Sequence, residues 1–168
     1  MKNFQITAKE DGKQYWISRS CAVVAIVIRQ CENSDGYEVL VNKRGPGTPD
    51  YQGYWNLPCG YIDWDECGEV AASREVNEET NYVIPTNQWT LMSADTNPRS
   101  NRQNITLRYF HFVQFPPLEI NENNNGEENE VDEVKWINLD NLNDYQFAFD
   151  HEKLIINIFD DAWHRGLI

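Results

Sequence analysis

The run SREVNEETNY, residues 73–82, constrains the fold of this chain more than any other stretch. With the residues before it, it holds good helix formers and no proline, and it predicts a helix over 67–80. At about 100° per residue, Glu78 lies about 60° to one side of Glu75 and Glu79 about 40° to the other, so three carboxylates share one sector. Like charges at these spacings destabilise an isolated helix by about 0.2–0.5 kcal/mol per pair. Glu78 and Glu79 also fall in the last turn, where the helix dipole disfavours anions. Such a face is either solvated or neutralised by a bound cation. Hard divalent cations such as Mg2+ bind carboxylate oxygens together with substrate phosphates and water.

The rest of the chain predicts mostly strands. YWISRSCAVVAIVIR (15–29) is rich in β-branched and aromatic residues, as one or two strands require. After the turn signal NSDG, YEVLVNKR (37–44) alternates as the returning strand of a hairpin. GPGTPDYQG (45–53) reads as a loop, and WTLMSAD (89–95), NITLRYFHFVQF (104–115) and VDEVKWINL (131–139) as strands. NENNNGEENE (121–130) is a polar, acidic loop. HEKLIINIFDDAWHRG is an amphipathic C-terminal helix with Leu154, Ile155, Ile158 and Trp163 as expected core contacts. Strands in the middle, one helix among them and one at the end predict an α+β domain with a mixed sheet between helices.

Composition narrows the class. Six Trp and eight Tyr argue for a folded protein rich in β structure, and 168 residues suit a single domain spanning 1–168. No apolar run approaches the ~20 residues of a membrane span. The N-terminal MKNFQITAKEDGKQYW lacks a signal-peptide core, so a soluble, cytoplasmic protein is expected, with no membrane partner. Cysteines 21, 31, 59 and 67 form no C-x-x-C pair and read as reduced thiols. A net charge of −13, from 14 basic and 27 acidic residues, argues against a nucleic-acid partner. A small polyanionic substrate fits only if metal ions neutralise the site.

The segment GYIDWDECGEVAASREVNEE carries a longer pattern: Gly60, five residues, Glu66, seven residues, Arg74-Glu75, then Val76, one residue, and Glu78-Glu79. It resembles the signature of the Nudix hydrolases, G-x5-E-x7-R-E-U-x-E-E-x-G-U, where U is a bulky aliphatic residue. YWNLPCGYID looks like the family's lead into this box and EVDEVKWINLDNL like its later strand and turn, so the resemblance runs from about Trp16 to the C-terminal helix. Asn81 and Tyr82 depart from the Gly and aliphatic residue of the signature, and Cys59 stands where many members carry Gly. Asn is the residue after Gly that best tolerates a left-handed C′ position, so the helix end is expected to survive. Tyr82 is expected to fill an apolar position while its hydroxyl reaches water.

The resemblance implies an α/β/α sandwich with a mixed β-sheet, a catalytic loop–helix–loop and a C-terminal helix. It also implies a pyrophosphohydrolase that uses Mg2+, with Mn2+ as an alternative, to cleave a nucleoside diphosphate-X compound by water attack on phosphorus. A non-catalytic nucleotide-binding module of the same fold is the competing reading. By motif matching, Glu75, Glu78 and Glu79 are the expected metal ligands and catalytic residues, with the main-chain carbonyl of Cys59 assisting. Glu130, six residues before Trp136, is a further candidate ligand or base. Gly60, Glu66 and Arg74 are expected to hold the loop against the helix and orient the carboxylates. Arg44, Arg99 and Arg102 are candidate substrate contacts, because Arg offers fork-like contacts to phosphate. Tyr51 and Tyr54 are candidates to stack on a base, whereas Trp55 reads as core, and His111 and His151 as structural residues. Pro98, sixteen residues after Tyr82, resembles a position seen in members that act on ADP-ribose and related compounds. A homodimer is compatible with all of this.

Overall fold

The computed structural model describes residues 3–10, 12–31, 35–101, 103–114, 119–120 and 129–168. Arg102 and residues 121–128 of the acidic loop lie outside the described residues. Strands β1 (Phe4–Thr7) and β2 (Gln14–Ile17) form an antiparallel hairpin of their own. They are followed by β3 (Ser20–Gln30), β4 (Tyr37–Arg44), β5 (Trp55–Asn56), β6 (Cys59–Tyr61) and helix α1 (Gly68–Thr80). Then come β7 (Tyr82–Val83), β8 (Thr90–Asp95), β9 (Asn104–Val113), β10 (Glu119–Ile120), β11 (Val131–Asn138) and helix α2 (His151–His164).

The main sheet runs β11-β4-β3-β9-β8, with β5 added to β4 and β6 to β3. β3 and β9 are parallel and the other pairs antiparallel, so the sheet is mixed, as the order of elements predicts. Val23 through Ile28 are all buried because helices cover both faces of β3. Their side chains alternate. Val23, Ala25 and Val27 join Leu40, Ala71, Ala72 and Val76 on the α1 face. Val24, Ile26 and Ile28 join Val39, Val41, Ile155, Ile158 and Ala162 on the α2 face. The result is the expected α/β/α sandwich.

Local expectations hold closely for β4 and α1, and one core contact does not. Trp163 is 54% exposed, because Ile155, Ile158 and Ala162 define the buried stripe of α2 and the next position turns off it. Its ring rests edge-on against Tyr37 at the border of the core. The stretch 15–29 forms two strands, the end of β2 and β3, as expected, but β1 and its pairing with β2 were not predicted, since QITAKEDGKQ carries too few apolar residues to mark a hairpin.

The helix end bears out the reading of Asn81. Asn81 adopts φ 63° and ψ 0°, and its N–H donates to the Asn77 carbonyl at 3.0 Å. Asn81→Gly should therefore leave stability unchanged or slightly raised, while Asn81→Ala should cost about 1 kcal/mol, because Ala adds a Cβ penalty at positive φ. Urea unfolding midpoints of the two variants test this; equal midpoints would remove the left-handed cap. Tyr82 is half-buried against the core, and its hydroxyl accepts a hydrogen bond from the Trp136 indole N–H at 3.1 Å, a partner on β11 that the sequence did not announce.

Candidate active site

The box glutamates gather where α1 lies over β6. Helix α1 starts at Gly68, packed so closely on the Tyr109 ring and hydroxyl that any Cβ would collide with them. Its carboxylate face then meets strand β6, which carries Cys59 and Gly60. Glu75 is 8% exposed, and a Cβ on Gly60 would run into its carboxylate, so the glycine makes room for this group. Glu79 Oε2 accepts a hydrogen bond from the Cys59 N–H at 3.2 Å.

Arg74 organises the cluster. Its Nε and Nη2 donate to the two oxygens of Glu66 at 3.1 and 2.6 Å, a fork-on-fork pair. Nη2 also donates to the Tyr61 carbonyl at 2.8 Å, and Nη1 to Glu75 Oε1 at 2.7 Å and Glu78 Oε2 at 2.9 Å. Glu66 Oε1 further accepts from the Asp63 N–H at 2.9 Å. These bonds, Arg74 first, hold the Glu66 carboxyl below its ordinary range. The resemblance implied that Glu66 and Arg74 hold the loop against the helix, and the two are paired here. The additional grip on Tyr61, Glu75 and Glu78 was not legible, because the relevant carbonyl and rotamers leave no mark in spacing.

The donor set suits a hard cation: three carboxylates on one helix face, with the nearby glycine giving Glu75 its space. Cys59 does not offer a thiolate. Burial, and then the Glu79 charge, push its thiol well above the ordinary range. Among the described residues, no three His, Cys, Asp or Glu side chains already converge as a cage. Glu75 and Glu78 converge on the guanidinium of Arg74 instead. The histidines are structural, as expected. His151 Nδ1 accepts the Leu57 N–H at 3.0 Å, and burial lowers its pKa to about 3. His111 is buried beside Trp89, and its pKa is lowered by the same cause.

The remaining candidates lie at the edges of this region. Glu130 is exposed, but its carbonyl accepts the Gly45 N–H at 2.7 Å, which ties the end of the acidic loop to the residue after Arg44. Gly47 donates to the Asn129 carbonyl at 2.8 Å in the same way. Arg44 donates to the Asp50 carbonyl at 3.0 Å and to Asp50 Oδ1 at 2.8 Å, and its guanidinium lies 4.9 Å over the Phe149 ring. Phe149 was missed by the sequence reading, which had no signal for a contact between residues so far apart. Arg99 is exposed in the β8–β9 connection, where its N–H donates to Asn97 Oδ1 at 3.0 Å. Trp55 is buried in the core, as expected.

A mixed sheet between two helices, with a loop–helix box of acidic residues at its edge, defines the Nudix fold class. The chain belongs to the NUDIX family: the model described as NUDIX domain matches residues 20–158. It is 28% identical over 164 residues to a protein named ADP-ribose pyrophosphatase from Methanocaldococcus jannaschii, covering 96% of this chain and 86% of that one. The NUDIX domain of Shewanella oneidensis NrtR, solved with ADP ribose, matches with a TM-score of 0.67 at 25% identity, covering 86% of this chain and 89% of that one. A MutT/nudix family protein from Enterococcus faecalis matches with a TM-score of 0.70 at 22% identity, over 89% of this chain; this chain spans 64% of that protein. The family agrees with the hydrolase class expected from the sequence. No helix among the described residues is long and apolar enough to cross a membrane.

Proposed function

We propose that this chain is a single-domain, divalent-metal-dependent pyrophosphohydrolase that cleaves the diphosphate linkage of a nucleoside diphosphate-X compound, with ADP-ribose the leading candidate. The observation that carries the reading is the arrangement of Glu75, Glu78 and Glu79 on one face of α1: Glu75 and Glu78 are held by Arg74, itself anchored to Glu66 and Tyr61, and Glu79 accepts the Cys59 N–H. The named relative and the ADP-ribose complex of the NrtR domain support the substrate class.

In this reading Glu75, Glu78 and Glu79 hold Mg2+, or Mn2+ in its place, with the Cys59 carbonyl assisting and Glu130 able to approach from the acidic loop. When bound, the metal supplies charge neutralisation at the diphosphate oxygens and a water of lowered pKa. Glu75 takes the proton of the attacking water, and Glu130 is the alternative base. Water oxygen bonds to phosphorus as the bridging P–O bond breaks, and ADP-ribose yields AMP and ribose 5-phosphate. Arg44 and Arg99 meet phosphate or ribose oxygens, a role also assigned to Arg102. Arg74 and Glu66 act by position, since they hold the carboxylates and not the substrate.

A panel of ADP-ribose, nucleotide sugars and nucleoside triphosphates, each with Mg2+, with Mn2+ and with chelator, tests the reading. The expected result is turnover only with metal and the highest kcat/KM for ADP-ribose. No turnover of any compound would favour a nucleotide-binding module of the same fold.

A further inference from the structure

At the end of β4 lies a small aromatic cluster that contains Tyr51 and Tyr54, the residues read from the sequence as candidates to stack on a base. Tyr51 and Phe149 sit with ring centroids 4.8 Å apart, and Tyr54 meets Tyr51 at 5.6 Å. Tyr51 is 46% exposed and Phe149 44%, although rings of this size are usually covered. Both residues hold left-handed backbone, at φ 51° and 58°, and Asp150 follows at φ 58°. Bulky side chains rarely adopt this conformation, and backbone held there by its surroundings gathers at ligand sites.

The surroundings hold it firmly. The Gly53 N–H donates to the Arg44 carbonyl at 2.8 Å and the Arg44 N–H to the Tyr54 carbonyl at 2.9 Å, which fold the 51–54 loop onto the end of β4. The Trp55 N–H donates to the Gln146 carbonyl and the Ala148 N–H to the Trp55 carbonyl, which bring Phe149 to the same place. Arg44 joins this cluster to the box side of the sheet: its guanidinium is stacked on Phe149, and its strand, β4, pairs with β5, which leads into β6 and the box. Asp50 fixes the guanidinium, so a phosphate would meet it already oriented.

We infer that Tyr51 and Phe149 form the platform on which the nucleobase of the substrate stacks, with Arg44 bridging from that platform to the phosphates. The inference rests on the hydrolase reading above and adds to it the end of the substrate that the aromatic rings select. Arg44 covers one face of Phe149 and the Tyr51 ring is inclined to it at 63°, so the base takes the aromatic face that Arg44 leaves free. Such a platform selects for a flat aromatic ring and is tolerant of which base carries it.

Calorimetric titration of the full chain with AMP and with ribose 5-phosphate tests the platform. Tyr51→Asn keeps a residue that tolerates the left-handed backbone and removes only the ring; Tyr51→Phe keeps the ring. AMP binding is expected to weaken about tenfold in Tyr51→Asn and in Phe149→Asn and to stay unchanged in Tyr51→Phe. Ribose 5-phosphate binding, and the circular dichroism of every variant, should match wild type. Unchanged AMP affinity in both Asn variants, or an equal loss for ribose 5-phosphate, would overturn the platform. The two readings also fail separately. A wild type that hydrolyses the panel while Tyr51→Asn binds AMP normally removes the platform alone. A wild type that binds AMP through Tyr51 yet hydrolyses nothing removes the hydrolase reading alone.

Discussion

Glu78→Gln and Glu79→Gln are each expected to lower metal-dependent kcat on the order of 10³-fold, ~4 kcal/mol of lost transition-state stabilisation, while the fold persists. Gln matches Glu in shape and keeps one acceptor oxygen, so the bond from the Cys59 N–H to position 79 survives. What disappears is the negative charge that a hard cation requires. Stability should change little. Glu78 gives up an ion pair with Arg74 at 2.9 Å, but its side chain is 34% exposed and such pairs contribute little. Each variant also relieves repulsion within the carboxylate face and at the negative end of the helix dipole. Phosphate-containing products released per enzyme, together with thermal unfolding, give both readouts. Full activity in both variants would withdraw the metal-binding role from this face.

Arg74→Ala is expected to act on stability as well as rate. The substitution leaves Glu66 and Glu75, whose side chains are 9% and 11% exposed, without the guanidinium that neutralises them. Breaking a buried ion pair from one side costs about 3–5 kcal/mol. Arg74 itself is 27% exposed, so a cost just below that range, about 2–3 kcal/mol, is expected here. A kcat loss of about 10–100-fold should accompany it, the usual effect of removing a group that orients metal ligands. Arg74→Lys should recover part of the stability but not the paired contacts to Glu66, because an ammonium lacks the planar fork.

The pH dependence has a definite sign. The folded Glu66 pKa is depressed, so this carboxylate contributes stability that is complete above its unfolded value and is lost as pH falls through the folded value. In Arg74→Ala the largest cause of the depression is gone, and the acid-side slope of the urea midpoint should flatten. An unchanged slope would mean that Arg74 does not set the Glu66 charge.

Much of this molecule was readable locally. Alternation in 37–44 gave β4 at its observed bounds, and the glutamate-rich run gave α1 to within one residue. Both periodicities are properties of a few consecutive residues. The spacing of Gly60, Glu66, Arg74 and the three glutamates likewise announced the box, because its loop and helix are contiguous in the chain. Asn81 could be foreseen as a left-handed cap for the same reason: backbone preference is local.

Contacts between distant segments were decided by the tertiary fold. Tyr82 finds Trp136 because β11 pairs with β4 at the sheet edge and turns that indole toward α1. Arg44 comes to lie on Phe149 only after β5 joins β4 and the segment before α2 folds back onto Trp55. Trp163 fell outside the core because the sheet covers one stripe of α2, and a helical pattern by itself does not say where that stripe ends. Thus the sequence alone determined the long strands, the two helices, the family box and the acidic face, all set by short-range backbone preference and spacing. Which side chains meet around that box depended on strand pairing between segments far apart in the chain, which no local pattern encodes.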